Sequence, residues 1–186
     1  MEARPSTQLR LFTIGHSNRS FEEFKCLLKE FQIQVIADVR RYPSSRKFPH
    51  FNQDTLSGLL EAEGIQYVWM EALGGLRHTG RDKKSPNVGL RSPAFRNYAD
   101  HMMTEKFLDA AQKLLVLAAK EPTAIMCAER FFWKCHRRLL SDFLVARGVD
   151  VTHILELNNL RLHTLTPGAF ITKEGGVLYP EPLEAS

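Results

Sequence analysis

Three short polar segments contain the residue types that enzymes use to bind anions and move protons. The first reads GHSNRS from Gly15, the second reads DVRRYPSSRK from Asp38, and the third reads CAERFFWKCHRR from Cys127. Histidines, carboxylates, thiols and arginines occur close together in these segments. That composition fits acid–base or nucleophilic chemistry on an anionic substrate.

The first segment lies between a predicted strand and a predicted helix. Backbone amides at that helix start, together with Ser17, Asn18 and Arg19, form the kind of group that binds a phosphate or carboxylate. The segment lacks the glycine spacing of a dinucleotide fingerprint or a phosphate loop. In the alternative interpretation, His16 and Asn18 only satisfy backbone groups of the turn. The predicted substrate-binding residues here are Gly15, His16 and Ser17.

The second segment directly follows an apolar run that reads as a buried strand. Aspartate at a strand end is a frequent general base, and arginine binds phosphate or carboxylate through two parallel hydrogen bonds. We therefore predict Asp38 as a catalytic residue and Arg40, Ser45 and Arg46 as substrate-binding residues. The alternative is an internal ion pair of Asp38 with Arg40 or Arg41, beside a solvated basic loop.

The third segment is the densest in reactive groups. Cys127 ends a predicted strand, Glu129 follows on a loop, and Cys135, His136 and Arg137 lie near the amino end of a helix that begins near Lys134. A thiol near a helix start and cationic neighbours favours a thiolate, and histidine with glutamate can exchange protons. We predict Glu129, His136 and Cys127 as catalytic residues and Arg137 as a phosphate ligand. In the alternative interpretation the cysteines are small buried hydrophobic residues.

The spacing within the third segment argues against several thiol and metal mechanisms. Trp133 stands where a cysteine phosphatase would need its arginine, and seven residues separate Cys127 from Cys135, unlike a Cys-x-x-Cys redox pair. Zinc bound by Cys127, Cys135 and His136 is disfavoured, because the paired signatures of zinc fingers and deaminases are absent. We therefore predict no metal and no cofactor.

Hydrophobic periodicity predicts strands alternating with helices around these segments. This order indicates an α/β fold, a three-layer sandwich with a mainly parallel sheet and helices on both faces. Ligand sites in such sheets lie beyond the carboxyl ends of the strands, so we expect the polar segments to form two walls of one crevice. Trp69, Glu71, Gly74 and Gly75 are further candidates to line it. The predicted strands are 9–14, 33–39, 67–70, 123–127 and 151–155, and the predicted helices are 21–31, 56–62, 95–103, 106–120 and 134–145.

Two regions without this alternation complete the predicted organisation. Residues 74–93 carry glycines, prolines and charges, which indicates a long loop or a lid over the site. Residues 159–179 are expected to close as a small hairpin with its turn at 174–176. We predict a single domain over 1–186, with a core at about 9–180 and flexible ends at 1–8 and 181–186.

Composition limits the class of protein. The 186 residues are 44% hydrophobic and 25% charged, as in ordinary globular domains. The longest apolar run, Leu114 to Ala119, is too short to span a membrane, and the start lacks the features of a secretory signal. Three cysteines are too few for a disulfide scaffold, which favours a cytoplasmic location. A net charge of +4 permits an anionic partner.

Several separated motifs together resemble the domain of unknown function 488 family. They are TIGHSNRSFEEF, IADVRRYPSSRKFPHFN, LGGLR, and MCAE followed by CHRRLL. The resemblance implies a small cytosolic α/β protein with one shared site, although the aromatic residues 131–133 replace a shorter polar link. Carried over by position, the resemblance implies as signature residues Gly15, His16, Ser17, Asp38, Arg40, Pro43, Ser45, Phe51, Leu73, Gly74, Cys127, Glu129, Cys135, His136 and Arg137.

The leading functional hypothesis is an enzyme that acts by hydrolytic or glycosidic cleavage on a phosphate-bearing nucleotide or nucleic-acid base. A role in DNA repair is one form of this hypothesis. Arg40, Arg46 and Arg137 would hold phosphate, while Asp38 or Glu129 activates water. One alternative is a non-catalytic nucleic-acid-binding module; another is a thiol-dependent enzyme using Cys127 or Cys135. The expected partner is an anionic small molecule or a nucleic acid, and no membrane association is expected. The sequence makes no prediction of the oligomeric state. The binding module would use Arg40, Arg41, Arg46, Arg77, Arg81 and Lys83, and a bound base would stack on Tyr42, Trp69, Phe131 or Trp133 if these are exposed.

Overall fold

One six-stranded sheet forms the centre of the computed structural model, which describes residues 8–77 and 84–181. Its strands are β1 (Arg10–Gly15), β2 (Val35–Asp38), β3 (Gln66–Trp69), β4 (Thr123–Cys127), β5 (Asp150–Glu156) and β6 (Asn159–Leu162). The order across the sheet is β3-β2-β4-β1-β5-β6. β1 to β5 run parallel, and β6 pairs antiparallel with β5. The carboxyl ends of β1, β2 and β4 therefore meet at one edge.

Five helices cover the two faces of this sheet. They are α1 (Phe21–Glu30), α2 (Gln53–Ala62), α3 (Pro93–His101), α4 (Glu105–Ala118) and α5 (Arg137–Val145). Apolar residues of α1 and α2 form one core cluster with the sheet, and those of α3, α4 and α5 form a second. The predicted three-layer α/β sandwich is confirmed. None of the helices described has the length and apolar character needed to cross a membrane.

Neighbouring residues of one strand contribute to opposite core clusters. In β2, Ile36 packs on the side of α1 and α2, whereas Ala37 packs on the side of α3, α4 and α5. Because both sides are covered, the strand is a continuous apolar run in the sequence. The run ends at Asp38, which is the fourth buried residue of the strand.

In the described residues, the structure agrees with most predicted strands and α-helices and adds one strand and three short 3-10 helices, Pro49–Phe51, Glu71–Leu73 and Phe132–Lys134. The tail hairpin is present as β7 (Phe170–Ile171) and β8 (Val177–Leu178), but β6 was not predicted. All four residues of β6 are exposed, so they carry no alternation of buried and exposed positions. Residues 74–77 and 84–92 form no helix or strand, while 1–7, 78–83 and 182–186 lie outside the described residues. The lid and the flexible ends therefore stay predictions.

A buried hydrogen-bond chain ties β1, β5 and α5 to the segment after β6. Thr13 Oγ1 contacts His153 Nδ1 at 2.7 Å, His153 Nε2 contacts His163 Nδ1 at 2.9 Å, and His163 Nε2 contacts Asp142 Oδ1 at 2.8 Å. The Tyr179 hydroxyl donates to Asp142 Oδ2 at 2.7 Å. With neutral histidines, each ring donates towards Asp142 and accepts from the preceding group. The chain thus satisfies a fully buried carboxylate.

The segment after β8 also fixes the irregular stretch before α3. The backbone of Tyr179 donates to Asn87 Oδ1 and accepts from the Gly89 N–H, both at 2.9 Å. A Cβ on Gly89 would lie 2.2 Å from the Pro180 carbonyl oxygen, so the close approach requires glycine. The region before α3 is therefore anchored by residues about 90 positions later.

We expect Asp142→Asn to lower the free energy of unfolding by about 3 kcal/mol, because the amide cannot accept all the hydrogen bonds that the buried carboxylate accepts. Asp150→Asn is the matched control, because Asp150 makes an exposed hydrogen bond to Gln8; its effect should stay within about 0.5 kcal/mol. Urea unfolding followed by circular dichroism measures both. Equal unfolding free energies of Asp142→Asn and the wild type would show that the buried hydrogen-bond chain does not stabilise the fold.

Stability should also fall as the pH is lowered from 7.5 to 5.5. Burial, with the nearby His163, lowers the pKa of His153 from 6.5 to about 2. The unfolded chain therefore takes up a proton near pH 6.5 that the folded protein does not, which costs about 1 kcal/mol by pH 5.5. His153→Asn should flatten the dependence of unfolding free energy on pH by that amount. An unchanged slope in this variant would contradict the assignment.

Candidate active site

A cavity of about 720 Å³ opens beyond the carboxyl ends of β1, β2 and β4. All three polar segments contribute to its walls, together with Gly75 and Leu76 from the loop after β3. The predicted convergence of the segments at one sheet edge is therefore present. The lining residues are His16, Ser17, Asn18, Arg40, Arg41, Tyr42, Ser44, Ser45, Lys47, Phe48, Gly75, Leu76, Cys127, Ala128, Glu129, Arg130 and His136.

Backbone pairing between β1 and β4 continues past the strands and joins the first and third segments. The His16 N–H donates to the Cys127 carbonyl, and the Ser17 N–H donates to the Ala128 carbonyl, both at 2.9 Å. At Gly15, a Cβ would lie 2.0 Å from the Glu129 carbonyl oxygen. Gly15 is thus a packing residue that permits this close approach, whereas His16 and Ser17 line the cavity itself.

The Arg19 and Ser20 amides at the start of α1 have partners within the protein. The Arg19 N–H donates to the His16 carbonyl at 3.2 Å, and the Ser20 N–H donates to Glu23 in a capping box. The Arg19 guanidinium is buried and donates to the Leu155 carbonyl at 2.5 Å. An anion in the cavity would therefore be held by side chains more than by this helix start.

Asp38 and Arg40 form a buried ion pair behind the cavity. Arg40 Nε lies 2.9 Å from Asp38 Oδ1 and 3.0 Å from Oδ2, and the Tyr67 hydroxyl donates to Oδ2 at 2.6 Å. Burial and the adjacent Asp38 raise the pKa of Tyr67, which keeps its hydroxyl protonated. The internal pair that the sequence left open is therefore present. Asp38 is fully buried and does not line the cavity, although it was predicted as a catalytic base.

Arg40 and His16 connect this ion pair to the cavity wall. Arg40 Nη1 lies 3.3 Å from His16 Nε2 and donates to the Phe51 carbonyl at 2.8 Å. The His16 ring stacks on Phe51 with a centroid distance of 4.2 Å. Burial and the Arg40 charge lower the pKa of His16 to about 4, so the ring is neutral at pH 7. Neutral His16 donates from Nδ1 to the Ser17 carbonyl at 3.0 Å and accepts at Nε2.

Two of the three arginines predicted to hold phosphate lie away from the cavity. Arg137 is 1% exposed; it donates to the Glu129 carbonyl and lies 3.3 Å from Thr13 Oγ1. Arg46 is exposed on the basic loop but does not line the cavity. Ser45 does line it, and its hydroxyl accepts from the Phe48 N–H at 3.0 Å. Arg137 therefore positions the Glu129 loop from behind.

Other cationic side chains supply the positive charge at the cavity wall. Arg41, Lys47 and Arg130 line it, and sequence reasoning had not assigned a substrate role to Arg130. Arg130 forms an ion pair with Glu156, and Arg41 forms one with Glu71. No salt bridge to Lys47 is found within residues 8–77 and 84–181. Among the described cations that line the cavity, Lys47 is therefore the best placed to bind an anion, because no carboxylate engages it.

Of the four aromatic residues proposed for base stacking, Tyr42 is the one at the cavity. Tyr42 is 66% exposed and lines the rim beside Phe48. Trp69 instead donates from Nε1 to the Arg40 carbonyl at 3.0 Å, and Phe131 stacks on Trp133 with a centroid distance of 4.7 Å. Neither Phe131 nor Trp133 lines the cavity.

Cys127, Cys135 and His136 bring their reactive atoms together at the deep end of the third segment. The two Sγ atoms and His136 Nδ1 all lie within 4.8 Å of one another. Nδ1 is 3.5 Å from Cys135 Sγ and 4.0 Å from Cys127 Sγ. In the part of the chain that the structure describes, this is the group that could hold a metal ion.

The pKa values of the two thiols are shifted in opposite directions. The hydrogen bond to Cys135 and burial raise the pKa of Cys127 well above its usual value. Burial also opposes ionisation of Cys135, but the hydrogen bond from Cys127 and the neighbouring His136 and Arg137 outweigh it and lower the pKa of Cys135. Cys135 is therefore the more readily ionised thiol of the pair and is buried, while Cys127 and His136 line the cavity.

Two contacts of His136 come from residues that sequence reasoning could not connect to it. The edge of the Tyr98 ring packs against the imidazole at a centroid distance of 4.9 Å. A Cβ on Gly75 would lie 2.7 Å from His136 Nδ1, so glycine allows the loop after β3 to approach the ring. The Gly74-Gly75 pair in the sequence already indicated that this loop could line the crevice. The apolar spacing of α3, by contrast, does not distinguish Tyr98 from other core residues.

Comparison with known proteins identifies the family. A family model described as Domain of unknown function DUF488 matches residues 20–144. No curated protein and no solved structure matches the chain. The matched segment covers α1 to α5 and includes the second and third polar segments, although it begins after the GHSN motif. On this match, over more than half of its length, the chain belongs to the DUF488 family.

Proposed function

We propose that the protein is an enzyme that cleaves a phosphate-bearing substrate, a nucleotide or a nucleic-acid base, by activating water in the cavity. The observation that carries this proposal is a single cavity lined by basic side chains, a carboxylate, a histidine and a thiol from separate segments. A concave site with convergent polar groups is the usual form of an active site. Cations on its wall favour an anionic substrate.

In this proposal Lys47, Arg41 and Arg130 attract and hold the phosphate. They come from the loops after β2 and β4, and all three line the cavity. Hydrogen bonds between charged partners are stronger than those between neutral groups. Arg137 supports the Glu129 loop from behind, and Arg40, which lines the cavity, has its guanidinium engaged by Asp38. Tyr42 and Phe48 offer aromatic surface for a base.

Glu129 is the water-activating carboxylate in this proposal. It is exposed on the loop after β4, lines the cavity, and has no salt-bridge partner within the described ranges 8–77 and 84–181. Asp38 is less suited to this role, because Arg40 and Tyr67 engage both of its oxygens. A general base needs an oxygen that can reach the proton it removes.

A thiol-dependent enzyme is the second candidate function. Its support is the position of Cys127 on the cavity wall, with Cys135 and His136 beside it. The non-catalytic binding module has less support, because Arg40 is paired with the buried Asp38 and Arg77 is paired with Glu71. Two more members of its predicted surface, Arg81 and Lys83, lie outside the described residues.

Glu129→Gln should lower kcat by about 100-fold or more on the cleaved substrate, because the amide cannot accept the proton of water. Its melting temperature should match that of the wild type, since the side chain is exposed. Asp38→Asn should instead lower the melting temperature, because it leaves the buried Arg40 charge without its partner. Panels of nucleotides and of damaged DNA oligonucleotides provide the assay. Full activity of Glu129→Gln on every cleaved substrate would refute the base assignment.

Lys47→Ala should raise KM about tenfold by removing a charged phosphate contact. Arg46→Ala is the matched control, because Arg46 is exposed on the same loop but does not line the cavity; it should change KM less than about twofold. Steady-state kinetics at fixed ionic strength measures both. If both variants weaken nucleic-acid binding equally and no substrate is turned over, the results favour the non-catalytic binding module over the enzyme.

A further inference from the structure

We propose that Cys127, Cys135 and His136 form a binding site for a zinc-like divalent cation at the wall of the cavity. The three side chains come from the end of β4 and from the residues just before α5. Their two Sγ atoms and Nδ1 lie within 4.8 Å of one another. Two thiolates and one imidazole are a ligand set that zinc enzymes use, with the fourth position left to water or substrate.

The distances between the donor atoms suit a tetrahedral cation. Zinc bonds of about 2.3 Å to sulfur and about 2.0 Å to nitrogen place neighbouring ligand atoms roughly 3.5 to 3.8 Å apart. Nδ1 lies 3.5 Å from Cys135 Sγ and 4.0 Å from Cys127 Sγ. The cluster is thus close to the separation that a bound cation would impose, and small side-chain movements suffice.

The surrounding structure holds the three donors in place before any ion arrives. A short 3-10 turn at Phe132–Lys134 returns the chain to β4, and the Cys135 N–H closes it on the Phe132 carbonyl at 3.0 Å. The Cys127 carbonyl accepts from the His16 N–H at 2.9 Å, which fixes the end of β4 against β1. Packing against Tyr98 and Gly75 fixes the His136 ring with Nδ1 towards the sulfurs. Such preorganisation limits the entropy lost on binding.

The fourth coordination position would face the cavity. Cys127 and His136 both line it, whereas Cys135 lies deeper in the wall. A cation at this point would polarise water or a phosphate oxygen next to the Glu129 loop. Sequence spacing does not reveal this set, because the fold, and not a Cys-x-x-Cys turn, brings the ligands together.

Titration of the chelator-treated, reduced protein with Co²⁺ tests the site without any substrate. We expect one Co²⁺ per chain and a near-ultraviolet absorption band from thiolate-to-cobalt charge transfer. Cys127→Ser, Cys135→Ser and His136→Gln should each weaken binding by roughly 100-fold or more. Cys26→Ser is the matched control and should bind like the wild type, since Cys26 is exposed on α1. Absence of the band in the wild type, or an undiminished band in Cys127→Ser, would overturn the proposal.

A second measurement uses the wild type alone, so it does not depend on the folding of any variant. With equimolar Zn²⁺, iodoacetamide should alkylate Cys26 and spare Cys127 and Cys135, as read by mass spectrometry of peptides. Removal of zinc in denaturant should expose all three thiols. Equal labelling of the three cysteines in native protein with and without zinc would refute the site, as would a Cys127–Cys135 disulfide that forms equally fast with and without added zinc. Neither readout requires turnover, so failure of the proposed reaction leaves this test intact.

Discussion

Backbone hydrogen bonding between β1 and β4, continued beyond the strand ends, is the constraint on which the cavity depends. It sets the GHSN loop beside the CAE loop, although more than 100 residues separate them in the chain. The approach is so close that only glycine fits at position 15. Any residue that pushed these loops apart would also separate His16 from Cys127 and Glu129. The chemistry of the wall therefore rests on a backbone contact that contains no reactive group.

Buried charges give the walls their rigidity. The Asp38–Arg40 pair and Arg137 are almost fully removed from solvent, and each guanidinium also donates to a backbone carbonyl. Such groups are costly to bury singly, so their partners must stay in place. The arginines near the site consequently fall into two populations. Arg40 and Arg137 organise the loops, whereas Arg41 and Arg130 present charge to the cavity.

The sequence predicts the architecture better than the role of each side chain. Runs rich in β-branched residues, such as 33–39, mark strands buried on both faces, and the Ser20–Glu23 capping box marks the start of α1. The strand-end rule then locates the cavity. By contrast, the burial of Asp38 and Arg137 also depends on distant partners, Tyr67 for Asp38 and Thr13 for Arg137, which no local pattern encodes. The Cys135–His136 geometry depends on a 3-10 turn within an aromatic stretch, and the exposed strand β6 leaves no periodic signal.

The contacts of Tyr179 have a consequence for the order in which the molecule is completed. Synthesis proceeds from the amino end, so α5 and the sheet emerge before this residue. Until then Asp142 lacks the tyrosine hydroxyl, and Asn87 lacks the backbone amide that it accepts from. A nascent chain that stalls before position 179 thus carries a carboxylate with an unmet donor requirement inside its core. Satisfaction of that carboxylate therefore distinguishes a chain that extends through Tyr179 from one that ends before it.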